Sequence, residues 1–578
     1  MRTMALGNFM IALTATLAAI PSPAAPLVSA MAPDGHGGAV VAWVMDANGE
    51  KLEMVRFDPA HPVARVALAT PLAGAQTPDS ITAVALDVDE HGTTFLTWQT
   101  AARNTSEPSA TVWAQSFAPD GRAAWEPVVV ARNTLSAMPS VVADGRGGAY
   151  VAFGVDSAHS LANDAVEIRH VNAEGSIEWV RHFAAQRAHF RKPKLVTDTN
   201  GGVIVVFEAR LTDGTSQGVR HLLAQRLSPE GNVVWLDDAH FVTLAATNYD
   251  EHDAVLVPNS GGVIAVFEST IPEGPYAGDI NIAAQRITAE GAQVWGSNGT
   301  PRWVSATTAI ECNPTALSDG RGGVIVSFEG RISETANRDI WAQRIAPTGA
   351  LLWGSLGLPV ALTSTPEAEH APRLALTGDG DIAVGYTASE SAGTAVGYVN
   401  LISVDGYYLW PHAWPTQSIG DSASLAHLWA GREGAVNAIV EERTQEGSVA
   451  LVHQEVNENG VVPDRLMGAT PVAGEAEHAP EFALPPSPNP FNATTTFSYW
   501  SVSGQHTHVL IVNALGQTVR HIIHRTAMTG WQRVAWDGCD DAGASLASGT
   551  YLYLISRDDA PETHSASRPT VGRITLVR

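Results

Sequence analysis

Three pairs of adjacent residues carry most of the chemistry this sequence offers: Glu251–His252, Glu311–Cys312 and Glu369–His370. Carboxylate, imidazole and thiol are the ligand types that hold a borderline divalent metal when a fold brings them within a few ångströms. The pairs stand 60 and 58 residues apart, so only a repeated architecture can make them converge. The other reading is that they are polar loop residues with a structural role, and Glu477–His478 repeats the pair outside the pattern. A second row is Glu208, Glu268, Glu329 and Glu441, with Arg210 and Arg331 two residues beyond two of them. Salt bridges between strands are the expected role of this row, and carbohydrate recognition by Trp and carboxylate is the alternative. GxSxG, HExxH, P-loop and CxxC patterns do not occur, so the enzyme classes that depend on them lose support.

The elements that position these residues follow from an internal repeat. A glycine turn before an apolar strand recurs at Gly37, Gly92, Gly147, Gly201, Gly261, Gly322, Gly380 and Gly434, with spacings between 54 and 61 residues. Six residues after each comes Trp43, Trp98, Phe153, Phe207, Phe267, Phe328 or Tyr386, and Val440 breaks the series. In the clearest unit, Pro193–Val196, Gly202–Glu208, Leu222–Leu227 and Asn232–Trp235 read as four strands. The unalternating VIVV of the second is what a strand buried on both faces requires. Asp34, Asp89, Asp144, Asp198 and Asp319 precede the glycines by three residues, where an Asx turn can form. Ala-Gln-Arg recurs at 224–226, 284–286 and 342–344. Trp125, Trp179, Trp235, Trp295, Trp353 and Trp410 each follow a glycine by four residues and are expected to pack between neighbouring sheets.

Four-stranded units of this period point to a β-propeller, which buries both faces of every sheet by radial stacking. Eight units fit between about Val28 and Met467, and seven with a degenerate one is the alternative. If the first strand of each unit is innermost, the loops carrying Glu251–His252, Glu311–Cys312 and Glu369–His370 meet at one mouth of the central channel. Weaker likenesses, of Asp89–Trp98 to a sialidase Asp box and of TGDGD at 377–381 to a Ca²⁺ loop, lack the right spacing and read as plain turns.

Composition narrows the partners. A net charge of −25 and a pI near 5.1 exclude the basic face that nucleic acid demands. Cys312 and Cys539 fall in different parts of the chain and cannot build a disulfide framework. At the N-terminus, Arg2 precedes an apolar stretch from Ala5 to Ile20 and a small-residue region at Pro21–Ala25, the pattern of a secretory signal peptide cut after Ala24. No later stretch is long enough in apolar residues to cross a membrane as a helix.

The C-terminal segment carries PNPFN at 488–492, LGQ at 515–517, WDG at 536–538, SGTY at 548–551 and a final basic strand. Its β-branched and aromatic runs, separated by Gly, Asn and Asp, read as a small antiparallel sandwich. That order of motifs resembles the C-terminal sorting domain of type IX (Por) secretion cargo, and equally the Ig-like modules of the hook-capping type; Ala493 stands where relatives usually have Pro. The resemblance covers about a sixth of the chain and implies the type IX machinery as a partner.

The whole reads as all-β: a signal peptide at 1–25, propeller repeats at 26–467, a linker at 468–486 and an Ig-like sorting or anchoring domain at 487–578. The expected function is that of a secreted or outer-surface binding and scaffold protein with an extracellular ligand, glycan or protein. A secreted propeller-type glycan hydrolase or lyase is the alternative. No cofactor is expected, and a divalent metal at the channel-mouth residues is the alternative.

Overall fold

The computed structural model describes residues 20–21 and most of 28–577. Residues 1–19, 22–27, 45–51, 58–79, 102–109, 156–163, 463–482 and 558–569, with several shorter connections, lie outside the described residues. The expected signal peptide, apart from Ile20 and Pro21, and most of the expected linker fall there. Ile20–Pro21 pair antiparallel with Ser448–Val449. The chain divides into two compact units, Met1–Gly468 and Ala469–Arg578.

Among the described residues the first unit holds eight antiparallel sheets, in which successive strands of the chain pair in order, with Ile20–Pro21 added at the edge of the eighth. Their first strands are Ser29–Pro33, Ser80–Val88, Ser140–Ala143, Ala188–Thr197, Asp250–Asn259, Ile310–Ser318, Ala368–Leu376 and Ser422–Ala430. Each of the first seven packs against the first strand of the next sheet, which places them around the centre. The ring closes where Trp43 and Val55 of sheet one share a cluster with Trp429, Ile439 and Leu451 of sheet eight. This is an eight-bladed propeller, and the seven-bladed alternative falls.

Second strands show why these sequences stack. In Val203–Leu211, Ile204 and Val206 join a cluster with Val263, Ala265 and Phe267 of sheet five. Val203, Val205 and Phe207 join one with Tyr150, Ala152 and Val166 of sheet three. Apolar residues at every position are thus divided between two neighbours, the condition for an unalternating strand.

The repeated polar residues form one device. Asp198 Oδ1 accepts from the N–H groups of Asn200 and Gly202 at 2.8 and 2.7 Å, the expected Asx turn. Its Oδ2 accepts from Arg226 Nε at 2.7 Å, and the same guanidinium reaches Ala289 O of sheet five at 2.7 Å. Trp235 Nε1 donates to that carbonyl at 2.8 Å. The arrangement recurs with Arg286 and Trp295 on Pro347 O and with Arg344 and Trp353 on Val404 O. Trp235 packs at 3.1 Å from where a Cβ on Gly291 would sit, and Trp179 at 2.7 Å from one on Gly231. Glycine at these turns, held at positive φ, therefore admits the indole of the preceding sheet.

The fourth strand differs from expectation. Asn232–Trp235 makes a single bridge, Leu227 to Val233, and the outer strand is Val242–Ala245. The turn at Gly231 folds the chain back for one residue pair before the indole turns inward, so strand-like residues there serve a plug.

In the second unit, the sheet of Ala483–Ser487, Thr495–Ser501 and Gly530–Trp536 and that of Thr518–Arg525, His506–Val512, Gly549–Arg557 and Thr570–Leu576 enclose Phe497, Tyr499, Val509, Ile511, Tyr553 and Ile555. His506–Val512 alternates strictly between half-buried and buried, as one face on a core demands.

Candidate functional site

The first strands of sheets four to seven each carry a bulge. Pairing with the second strand slips between Arg191 and Lys194, His252 and Val255, Cys312 and Thr315, and His370 and Arg373. The first bulged residue is left-handed in all four: Lys192 (φ 47°), Asp253 (52°), Asn313 (53°) and Ala371 (54°). Holding non-glycine residues there costs energy. At Asp253, Asn313 and Ala371 the compensation comes from the Glu row. Asp253 N–H donates to Glu208 Oε1 at 3.1 Å, Asn313 N–H to Glu268 at 2.7 Å and Ala371 N–H to Glu329 at 2.9 Å. Each carboxylate thus latches its sheet to the bulge of the next. Glu208 also pairs with Arg220 at 3.3 Å and Glu329 with Arg338 at 2.7 Å, the inter-strand salt bridges expected of the row, while Arg210 pairs with Asp250 at 3.8 Å. The recurrence of Pro193, Pro314 and Pro372 after the bulge was the sequence signal for it.

The six expected metal ligands lie inside the first strands, at their beginnings, and not in the preceding loops. They divide into two rows that face different partners. Glu251, Glu311 and Glu369 are buried and anchor the connection into their own strand. Thr247 N–H and Oγ1 donate to Glu251 at 3.1 and 2.5 Å, Ser305 Oγ to Glu311 at 3.0 Å and Thr363 Oγ1 to Glu369 at 3.1 Å, with Thr365 Oγ1 also on Glu369. His252 and Cys312 turn toward the Glu row: His252 Nδ1 stands 3.8 Å from Glu268, and the Cys312 thiol 3.9 Å from Glu329. Burial, with Glu329 beside it, pushes the Cys312 thiol up to about 12, so it is neither a thiolate nucleophile nor a ready ligand. Among the described residues the group of three with metal-ligand spacing is His252, Asp253 and Glu268. Glu251, Glu311, Cys312, Glu369 and His370 do not enter it, so the expected six-residue set is not assembled.

His370 instead lines a cleft of about 980 Å³ between sheets six and seven, with Asn313, Glu329, Asn337, Arg338 and Arg373 among the walls. Arg338 and Asn337 are exposed. Arg373 Nε donates to Ala426 O at 2.8 Å. The Glu369 carboxyl, also in the lining, is raised by burial, and Asp339, which hydrogen-bonds with it, is raised for the same reason.

Residues 494–560 match the FlgD Ig-like domain family. No curated protein matches the chain. Solved structures similar to it include the Penicillium chrysogenum alpha-L-arabinanase complexed with arabinobiose, at 12% identity and a TM-score of 0.32 over 56% of this chain and 93% of that one. The endo-arabinase from Bacteroides thetaiotaomicron is 14% identical, with a TM-score of 0.24 over 47% and 95%. The parainfluenza virus 5 hemagglutinin-neuraminidase ectodomain is 10% identical, with a TM-score of 0.32 over 56% and 82%. These likenesses assign no ligand or activity. The chain is a β-propeller protein with an Ig-like C-terminal domain.

Proposed function

We propose that the propeller recognises a saccharide in the cleft between sheets six and seven. The observation that carries this reading is the lining itself: Asn313, Asn337, Arg338, Arg373 and His370 all border one concavity. Such a set of donors suits a hydroxyl-rich ligand, above all one bearing a carboxylate. Binding is favoured over cleavage because Glu329 is already engaged by Arg338, Asn313 and the Ala371 N–H, and Glu369 by two threonines. Titration calorimetry with uronate-bearing oligosaccharides is expected to give saturable binding, weakened about tenfold in Arg338→Ala and in His370→Ala, roughly 1.4 kcal/mol each. Absence of binding across neutral and acidic glycans would remove the proposal.

A hydrolytic reading rests on one feature, the Asp339–Glu369 carboxyl pair, whose raised pKa values suit a general acid. Turnover of a bound glycan that disappears in Glu369→Gln would replace the binding reading with this one.

We also propose that the chain is exported and delivered to the surface through its C-terminal domain, on the strength of the N-terminal pattern and the motif order at 488–578. In a host with type IX secretion, a chain lacking Ser487–Arg578 is expected to fold and remain periplasmic. Normal surface delivery of that truncation would leave the domain as a spacer.

A further inference from the structure

The repeat supplies its own control for the Glu row, and sheet five departs from it. In sheets four and six the residue two positions before the glutamate's third-strand partner is an arginine: Glu208 faces Leu222 and takes Arg220, and Glu329 faces Ile340 and takes Arg338. Glu268 faces Ile282, and the corresponding position is Ile280. The guanidinium is therefore missing where the burial is the same, since Glu268 is 7% exposed and Glu208 5%.

One oxygen of Glu268 accepts from Asn313 N–H at 2.7 Å, and the other stands 3.8 Å from His252 Nδ1. The bulge residue, which is Lys192, Asn313 or Ala371 in the neighbouring sheets, is here a second carboxylate, Asp253, exposed on one side. Sheet five has thus lost a positive charge and gained a negative one at the same place.

The remaining geometry converges on a point between these groups. His252 Nε2 lies 2.8 Å from Thr270 Oγ1, which fixes the ring and aims Nδ1 at both carboxylates, with Asp253 Oδ2 at 2.8 Å. The other Asp253 oxygen is held by Lys192 Nζ at 2.7 Å, a contact that also orients the carboxylate from outside. One ligand atom from each of His252, Asp253 and Glu268 lies within 4.8 Å of the others. Ligand atoms about 2.0–2.1 Å from a tetrahedral ion stand roughly 3.3 Å apart, and the 2.8 and 3.8 Å separations bracket that value.

We propose that His252 Nδ1, Asp253 and Glu268 bind one divalent transition cation of the Zn²⁺ class, with a fourth position open on the exposed side of Asp253. One imidazole and two carboxylates favour such an ion over Ca²⁺, which takes six to eight oxygens. The ion replaces the arginine of the neighbouring sheets, and through Glu268 it tightens the latch on Asn313, a residue of the cleft wall. The site stands independently of what the cleft binds.

The test uses the full chain carrying His508→Ala, because His508 Nδ1 and His521 Nε2 lie 3.0 Å apart on the C-terminal domain and offer zinc a separate foothold. After chelator treatment and dialysis, Zn²⁺ is titrated in competition with a chromophoric chelator. One equivalent is expected, with affinity reduced at least tenfold in His252→Ala and in Glu268→Gln, and unchanged in Cys312→Ala. Ile280→Arg restores the guanidinium of sheets four and six and is expected to abolish binding while the thermal melt is kept. Should either removal variant fail to fold, Ile280→Arg decides alone. No binding by the parent chain, or undiminished binding in Ile280→Arg, overturns the site.

Discussion

Trp235→Ala is expected to destabilise the propeller by roughly 3–5 kcal/mol, the usual cost of truncating a fully buried large aromatic. The indole is 2% exposed, fills the seam between sheets four and five against Gly291, and donates to Ala289 O. The carbonyl keeps Arg226, so most of the loss is packing rather than an orphaned acceptor. Trp235→Phe separates the two parts: it refills much of the seam and forfeits a hydrogen bond of about 1 kcal/mol. Denaturant melts of both variants make the comparison. A silent Trp235→Ala would mean that the indole does not carry the contact between sheets.

Acid is expected to loosen the ring first where sheet eight meets sheet one. His453 stacks on Phe57 of sheet one at 4.6 Å and on Trp429 at 5.4 Å, with Nε2 2.9 Å from Asn437 Oδ1. His427 reaches Ser29 Oγ at 3.0 Å. Burial pushes His453 down to about 4, and burial with the Arg373 guanidinium beside it pushes His427 down to about 3. An unfolded histidine takes its proton near pH 6.5, before the folded one does. Stability is therefore full above that value and falls as the pH drops toward 4, because the unfolded chain binds more protons in this window. A pK unit is worth about 1.4 kcal/mol, so about 2 kcal/mol for each by pH 4.5 is the expected scale. Urea melts at pH 7 and pH 4.5 should show this loss, and His453→Gln should reduce it. Equal pH dependence in the variant and the parent would place the acid-labile groups elsewhere.

Much of the site's surroundings was legible for a reason the repeat makes plain. A feature that recurs from unit to unit, such as an apolar run divided between two neighbours or an aspartate that closes a turn, leaves a periodic mark, and strand period and turn chemistry are local. The glutamates after the repeat aromatic were also visible as a row. Their salt bridges were expected and form at Glu208 and Glu329, but the latch was not legible, because Glu208, Glu268 and Glu329 bond the backbone of a strand some 42–45 residues on, as Glu208 does with Asp253. The same distance hid the fourth strand, where Asn232–Trp235 has strand residues but its indole turns inward on Gly291.

By itself the sequence determined an acidic, all-β chain of stacked four-stranded units with a sandwich at its end, since periodicity, glycine turns and buried-strand composition act within one unit. The tertiary structure decided the closure at eight sheets and the separation of Glu251, Glu311 and Glu369 from His252 and Cys312. Consecutive residues of a strand point to opposite faces, so adjacency in the sequence parts the members of each pair. It also joined His252 to Asp253 and Glu268. A bulge shifts the period by one residue, and only pairing with the next strand reveals which carboxylate then stands opposite.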